Sequence, residues 1–370
     1  MRTRTIIMIC QRKNKMNESL DRKKVILGLS GGVDSTTAAL LLKEKGMEVT
    51  GLYFDVSSGN EEGRRAAEAA ADQIGIPFLY RNVHQLFQDT VIDNFCSEYA
   101  AGRTPNPCVF CNPTVKFKIL TQEADRAGAF HIATGHYART AYNAQLGWTV
   151  RRAASEKKDQ SYMLYRLPAE VIERLLLPLA LMEHKEQARE IARQNHMNNA
   201  DLKDSQEICF IADDENYADY IKRHGYSIEE GDFIDKEGNV LGRHKGLIHY
   251  TIGQRKGLGI TFGKPVFVTA MDPAANTVTL GDHEDLLSRE VICSGSFFSM
   301  TGSSCMPEIL EGARVMAKIR YAARPAPAQI MTKPDGRILT VFDEKQRAAT
   351  PGQSIVFYLD DCVVGGGFIE

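Results

Sequence analysis

The stretch TPNPCVFCN at residues 104–112 sets two thiols three positions apart, behind two prolines. That spacing serves a metal half-site, a redox pair, or a loop that presents one reactive sulfur. A structural zinc is disfavoured, because this CxxC has no second pair of the kind such sites use. Pro105 and Pro107 stiffen the backbone, which suits a loop holding a thiol and the edge of Asn106 in one pose. A further cysteine, Cys209, lies in DSQEICFI at 204–211. Inside an apolar run a lone cysteine reads first as a small buried hydrophobe, yet the adjacent polar DSQE argues for an accessible thiol. Cys96, Cys293, Cys305 and Cys362 have no such context and read as packing residues.

The second chemical signature is SGGVDS, formed by Ser30, Gly31, Gly32, Val33, Asp34 and Ser35, directly after the apolar run KVILGL and directly before a helix-periodic stretch. Paired glycines let backbone amides turn inward, and the helix start adds its positive end, so the loop suits an anion such as pyrophosphate. It lacks the Gly-Lys-Ser/Thr ending of a Walker loop and the spacing of a dinucleotide fingerprint. A plain glycine turn would need neither serine. Asp34 serves either as a magnesium or pyrophosphate positioner or as a helix cap. The loop resembles that of adenylating enzymes releasing pyrophosphate from ATP, a group that includes GMP synthetases, asparagine synthetases and tRNA sulfur-transfer enzymes.

The elements that must position these groups alternate. KVILGL, EVTGLYF, IPFLYRNV and FHIATG read as strands, separated by helices expected at 34–45, 61–74, 85–99 and 115–127. Such alternation predicts a doubly wound parallel sheet, with ligands beyond the carboxyl ends of its strands. ASEKKDQSYM at 154–163 reads as a loop, and 169–196 as strongly helical. After 213, short runs between glycine turns predict a small β-containing module to 288 and a C-terminal β-barrel over 289–370. The expected organisation is therefore an N-terminal extension (1–23), an α/β domain (24–213), a central module (214–288) and a C-terminal β-barrel (289–370).

The 370 residues are 43% hydrophobic and 25% charged, with net charge -2, so any contact with nucleic acid must rest on local patches. Basic pairs such as Lys116 with Lys118, Arg151 with Arg152, Lys157 with Lys158 and Arg255 with Lys256 could meet RNA backbone or simply be solvated. No apolar run approaches the roughly 20 residues of a spanning helix, so no membrane partner is expected. Eight cysteines without a secretory signal indicate a reducing, cytoplasmic setting rather than a disulfide framework. The basic start is expected to be a disordered extension, with a mitochondrial-type presequence, an RNA-touching arm or a start at Met16 as alternatives.

Taken together, AGRTPNPCVFCN (101–112), VKFK (115–118), ATGHYAR (133–139), KKDQSYML (157–164), DSQEICFI, GLIHYTIGQRKGLGI (246–260), IRY (319–321) and PGQS (351–354) resemble the tRNA-specific 2-thiouridylases of the PP-loop ATP-pyrophosphatase superfamily. The likeness runs in one order from about residue 24 to 370. Its chemistry is coherent. Oxide is a poor leaving group until AMP is attached, and incoming sulfur needs a soft carrier such as a persulfide, with a second thiol to release it.

The resemblance implies that Cys111 is the nucleophile and Cys209 the persulfide carrier, left as a disulfide after the wobble uridine has been adenylated at its 2-oxygen and thiolated. It implies ATP, with Mg2+, along Gly28, Leu29 and the SGGVDS loop, at Phe54 and at Gly135. It places Asn106, Pro107 and Cys108 at the target base with His136 beside them, and Lys158, Asp159, Gln160, Arg320, Tyr321 and Gln353 on the tRNA. By chemistry alone, His136 has a rival role in proton transfer, and Tyr321 suits base stacking. The implied partners are tRNAs of the Glu, Gln and Lys type and a persulfide donor protein of a cysteine desulfurase relay.

One position departs. The family usually carries aspartate where this chain has Cys108, which leaves the acid or base open and makes Cys108 a candidate resolving thiol. Cys108, Cys111 and Cys209 could together hold an iron-sulfur cluster with one open iron. Two other classes remain at this stage. An amidating synthetase would keep the loop but need a glutaminase and no persulfide; a silent RNA-binding scaffold would need neither the loop nor the thiols.

Overall fold

The computed structural model describes residues 19–57, 61–202, 208–211, 215–260 and 263–370. Of the expected extension over 1–23, residues 1–18 lie outside the described residues, as does the DSQE of DSQEICFI, while residues 21–23 open the first strand instead. Two compact units share the chain: one takes residues up to His84, Asn112–Ser161 and Ala169–Asp204, and the other takes Gln85–Cys111, Tyr162–Pro168 and Ser205–Glu370.

The first unit is built on a parallel sheet of β1 (Asp21–Gly28), β2 (Glu48–Asp55), β3 (Phe78–Asn82), β4 (Ala129–Ala133) and the short strand Leu175–Leu176. Its order is β3-β2-β1-β4 and then Leu175–Leu176. Val25 pairs with Val49 on one side and His131 on the other, so β1 is central. Its apolar run is buried on both faces, as a central parallel strand must be. The order reverses direction between β1 and β4, which is where such a sheet opens a crevice for ligand. Helix Val33–Glu44 buries Val33, Ala38, Ala39 and Leu42, and helix Glu61–Ile74 buries the stripe Ala67, Ala70, Ala71 and Ile74. Small side chains on that stripe allow close backbone approach, which the phosphate loop uses.

The stretch 169–196 is not one helix. Helix Ala169–Arg174 ends in the strand Leu175–Leu176, and a second helix runs over Lys185–Gln194. Pro178 cannot donate an amide to a continuing helix, and Leu175 and Leu176 pair with Ile132 and Ala133 at the sheet edge. Buried Arg174 fixes the junction, donating to the carbonyls of Phe130 and Ala129 and pairing with Asp125 at 2.8 Å. A hairpin of Arg139–Asn143 and Gly147–Arg151, which the sequence reading passes over, also belongs to this unit.

In the second unit, a four-stranded sheet carries the strands Phe267–Asp272, Thr277–Gly281, Gly231–Ile234 and Val240–His244 in that order. Phe233, Val268, Val278 and Leu280 form its core. Six further strands form a closed barrel, because Cys362–Ile369 pairs with both Ser354–Leu359 and Leu287–Phe297. The run Gly365 to Gly367 permits closure: a Cβ at Gly366 would lie 2.4 Å from the Ile355 carbonyl oxygen and 2.9 Å from the Tyr165 ring. Among the described residues, no helix is long and apolar enough to cross a membrane.

Candidate active site

A cleft of about 240 Å³ opens at the carboxyl ends of β1, β2 and β4. Gly28, Leu29, Ser30, Asp34, Ser35, Phe54 and Gly135 all line it, so sequence-distant positions expected to hold ATP meet at one place. Tyr53, Lys116, Thr134, His136 and Gln160 complete the wall. The loop is held open from within. The Ser30 amide donates to Ser35 Oγ at 3.2 Å, and Ser35 Oγ donates to the Gly32 carbonyl at 3.0 Å. Gly31 has φ +79°, and a Cβ there would sit 2.7 Å from the Ala67 nitrogen, so only glycine fits. Its carbonyl accepts from Asn199 Nδ2, a buried side chain 168 residues away that also donates to Thr36. Gly135 lies against the first helical turn, where a Cβ would be 2.9 Å from the Asp34 carbonyl carbon.

Asp34 is not the helix cap; that position is Gly32, and no side chain caps it. One Asp34 oxygen accepts from the Tyr137 hydroxyl at 2.7 Å and the other pairs with Lys185 at 3.1 Å. The carboxylate is thereby aimed rather than loose. His136 accepts or donates at Nδ1 to Thr134 Oγ1 over 2.7 Å and lies 6.0 Å from the Phe117 ring. Burial, with the Lys116 charge adding to it, pushes the imidazole well below its usual range, so it is neutral at pH 7. A neutral ring in the native state and a protonatable one in the unfolded chain means that the unfolded state binds more protons below about pH 6.5. Stability should therefore fall as pH drops through that value, by at most about 1.4 kcal/mol per unit from this group. The difference in urea midpoint between wild type and His136→Gln should widen in the variant's favour from pH 7 to 5.

Both thiols expected to act lie in the second unit. Asn106 starts the short helix Pro107–Cys111, its Oδ1 accepting the Cys108 amide at 3.2 Å, with Pro107 at the first turn. Val109 is buried; Cys108 is exposed and Cys111 half-buried. Cys209 is exposed on a tight turn in which the Ile211 amide donates to the Ile208 carbonyl at 2.9 Å. Its neighbour Phe210 is buried against Phe87 and Phe95, with ring centroids 5.5 and 5.3 Å away. Helix Pro107–Cys111 packs on the π-helical segment Gln88–Ile92 of the same helical stretch. The two thiols thus share one scaffold. By contrast, burial raises Cys96 to about 11 and Cys293 to about 12, which makes both inert at neutral pH. Cys305 is exposed.

Among the described residues, no three His, Cys, Asp or Glu side chains are gathered closely enough to hold a metal ion. Cys108, Cys111 and Cys209 therefore do not form a cluster site in this arrangement.

A family model described as the tRNA methyl transferase HUP domain matches residues 23–213, one described as the tRNA methyl transferase PRC-barrel domain matches 218–282, and one described as the aminomethyltransferase beta-barrel domain matches 302–369. The tRNA-specific 2-thiouridylase MnmA of Clostridioides difficile (strain 630) is 46% identical over 361 residues, spanning 94% of this chain and 98% of that protein. The Clostridium perfringens (strain 13) protein of the same name is 44% identical over 366 residues, or 95% and 99%. The chain belongs to the tRNA-specific 2-thiouridylase family. Among solved structures, NMN synthetase from Francisella tularensis is similar at TM-score 0.32 and 14% identity, over 52% of this chain and 73% of that one, too slight a likeness to carry an argument.

The positions that 2-thiouridylase resemblance assigns to tRNA fall into distinct settings. His136 and Gln160 line the cleft beside the SGGVDS loop. Gln160 also braces the loop after β4, its Oε1 accepting the Tyr137 amide at 2.9 Å. Lys158 is half-buried, while Asp159 is 3% exposed and accepts from the Ala153 and Ser161 amides and the Ser161 hydroxyl. Asp159→Ala would strand those donors and should cost about 2–4 kcal/mol in chemical denaturation, with Asp159→Asn costing less than half of that. In the barrel, Arg320 donates to the Arg347 carbonyl at 3.0 Å, and Tyr321 is 36% exposed with Lys318 Nζ 5.3 Å from its ring centre. Gln353 Nε2 donates to the Thr104 carbonyl at 2.8 Å. Lys116 also lines the cleft, and nothing in the sequence beside it marks it as more than one of a basic pair with Lys118.

Proposed function

We propose that this protein is an ATP-dependent tRNA sulfurtransferase that makes 2-thiouridine at the wobble position. One observation carries the reading: a phosphate-loop cleft occurs in the same chain as two solvent-reached cysteines anchored on one helical scaffold. The descriptions of the matching family models speak of methyl transfer, but these cysteines favour sulfur chemistry.

ATP enters the cleft with its phosphates on the Ser30 to Ser35 loop and Lys116 across from it. Mg2+ bound with the nucleotide would neutralise phosphate charge, and Asp34 is the carboxylate lining the cleft that would face it. The uridine 2-oxygen attacks the α-phosphorus and expels pyrophosphate, leaving AMP on that oxygen. Neutral His136 can accept a proton here but has none to donate from an imidazolium. A donor protein of the persulfide class loads Cys209 as Cys209-S-SH. Its terminal sulfur attacks C2 and AMP leaves, giving a disulfide between Cys209 and the base. The Cys111 thiolate then attacks the Cys209 sulfur, releasing the thiolated base and leaving a Cys111–Cys209 disulfide. A dithiol reductant restores the pair, so each turnover consumes two electrons from outside. Cys108 stands as a spare thiol on the same short helix.

The test is mass spectrometry of tRNA from cells lacking the protein and from cells in which it is restored. Loss and recovery of wobble 2-thiouridine is expected. Unchanged 2-thiouridine in the deletion, in a cell with no second copy, overturns the reading, as does loss of a methylated base in its place.

A further inference from the structure

Pro107–Cys111 is the first turn of a helical run that continues through the π-helical Asn112–Lys116 into helix Phe117–Arg126. A first turn has amides without intrahelical partners, so contacts outside the run fix where that end and its thiols lie. Cys108 and Cys111, three apart, share one face. Of the two residues between them, Val109 is buried, and Phe110 stacks on Phe368 of the final barrel strand with ring centroids 4.8 Å apart and planes 12° from parallel. The Arg166 guanidinium lies 5.5 Å from the centre of the Phe110 ring and 5.0 Å from that of Phe368, closing the stack from a third segment.

A second strap holds the loop before the helix. The Thr104 amide donates to the Pro351 carbonyl at 2.9 Å, and Gln353 Nε2 donates to the Thr104 carbonyl. A Cβ at Gly352 would come within 3.0 Å of Arg103 and Thr104, so the two loops touch backbone to backbone. The straps are linked, since the Ile369 amide donates to the Gln353 carbonyl at 2.8 Å.

We infer that Phe368, Arg166 and Phe110 are positioning residues for sulfur transfer: the last barrel strand anchors the first turn of the helical run and so the position of Cys111. This rests on the sulfurtransferase reading for its rate effect, but not for its effect on the thiol itself. Displacement of a reacting group by about 1 Å costs up to a hundredfold in rate, so a loosened helix should show chiefly in the chemical step.

The experiment compares Phe110→Ala, Phe368→Ala, the double variant and Phe368→Tyr in the full-length protein. Single-turnover thiolation of wobble-uridine tRNA should fall about tenfold in each alanine variant, with KM for tRNA and ATP-dependent AMP transfer within twofold of wild type. The double variant should be no worse than the worse single one, and Phe368→Tyr should recover most of the rate. In the same proteins without tRNA, the iodoacetamide rate at Cys111, read by peptide mass spectrometry against exposed Cys305, should change at least threefold. Unaltered alkylation at Cys111 overturns the inference whether or not any variant thiolates tRNA. So does a double variant whose loss is the product of the single losses. A wild-type protein that alkylates as expected yet makes no 2-thiouridine refutes the proposed function instead. Phe110→Ala lies outside the barrel, so its result stands even if Phe368→Ala unfolds.

Discussion

Cys209→Ser should still transfer AMP to tRNA while forming 2-thiouridine at least a thousandfold more slowly, because a hydroxyl can neither carry sulfur nor leave a disulfide. Cys111→Ser should fail differently. Made together with Cys108→Ser, so that no second thiol remains on that helix, it leaves a Cys209 persulfide that can still displace AMP but a product that nothing resolves, so a protein–tRNA disulfide should accumulate and dissolve with dithiothreitol. A gel of the reaction with and without reductant reads both outcomes. Equal behaviour of the two variants would refute the division of labour. Cys305→Ser, another exposed thiol, should leave both readouts unchanged. In the second unit Cys209 is displayed on its turn beside buried Phe210, while Cys111 is half-buried.

The other large effect is expected at the phosphate loop. Gly31→Ala should abolish measurable ATP binding and cost about 2–4 kcal/mol of stability. Two penalties combine: a left-handed φ of +79° and a Cβ pressed within 2.8 Å of the Ala66 and Ala67 backbone. Gly46→Ala separates them. Its φ is +76°, but nothing lies within 4 Å of the added carbon, so it should cost only the roughly 1 kcal/mol of conformational strain and leave nucleotide binding intact. Isothermal titration with a non-hydrolysable ATP analogue and urea melts measure both. ATP affinity retained in Gly31→Ala would show that the phosphates do not use this loop.

The parallel sheet and the phosphate loop were legible in the sequence because their causes are local. Period, glycine placement and strand-to-helix order all act over a few residues, and helix Glu61–Ile74 has the expected limits. The 169–196 stretch was misread because its helical periodicity concealed Pro178 and the edge pairing of Leu175 and Leu176, a tertiary demand that overrides propensity. In the site, residue types were readable but their supports were not. Asn199 beneath Gly31, Lys185 beside Asp34, and Gln353 on Thr104 act across 168, 151 and 249 residues. No spacing in a single sequence announces such pairs. Asp159 shows the converse: a polar loop residue that reads as surface is a buried acceptor for its own turn.

The tie between Thr104 and Gln353 also sets a timetable for the nascent chain. At roughly 5–20 residues per second of synthesis, the loop that carries Cys111 leaves the ribosome tens of seconds before the barrel strand that orders it. The parallel sheet and its nucleotide cleft draw on residues made much earlier. A chain stopped before Gln353 would thus hold the residues of the phosphate loop and its cleft but lack the Gln353 contact to Thr104 and the two strands that close the barrel.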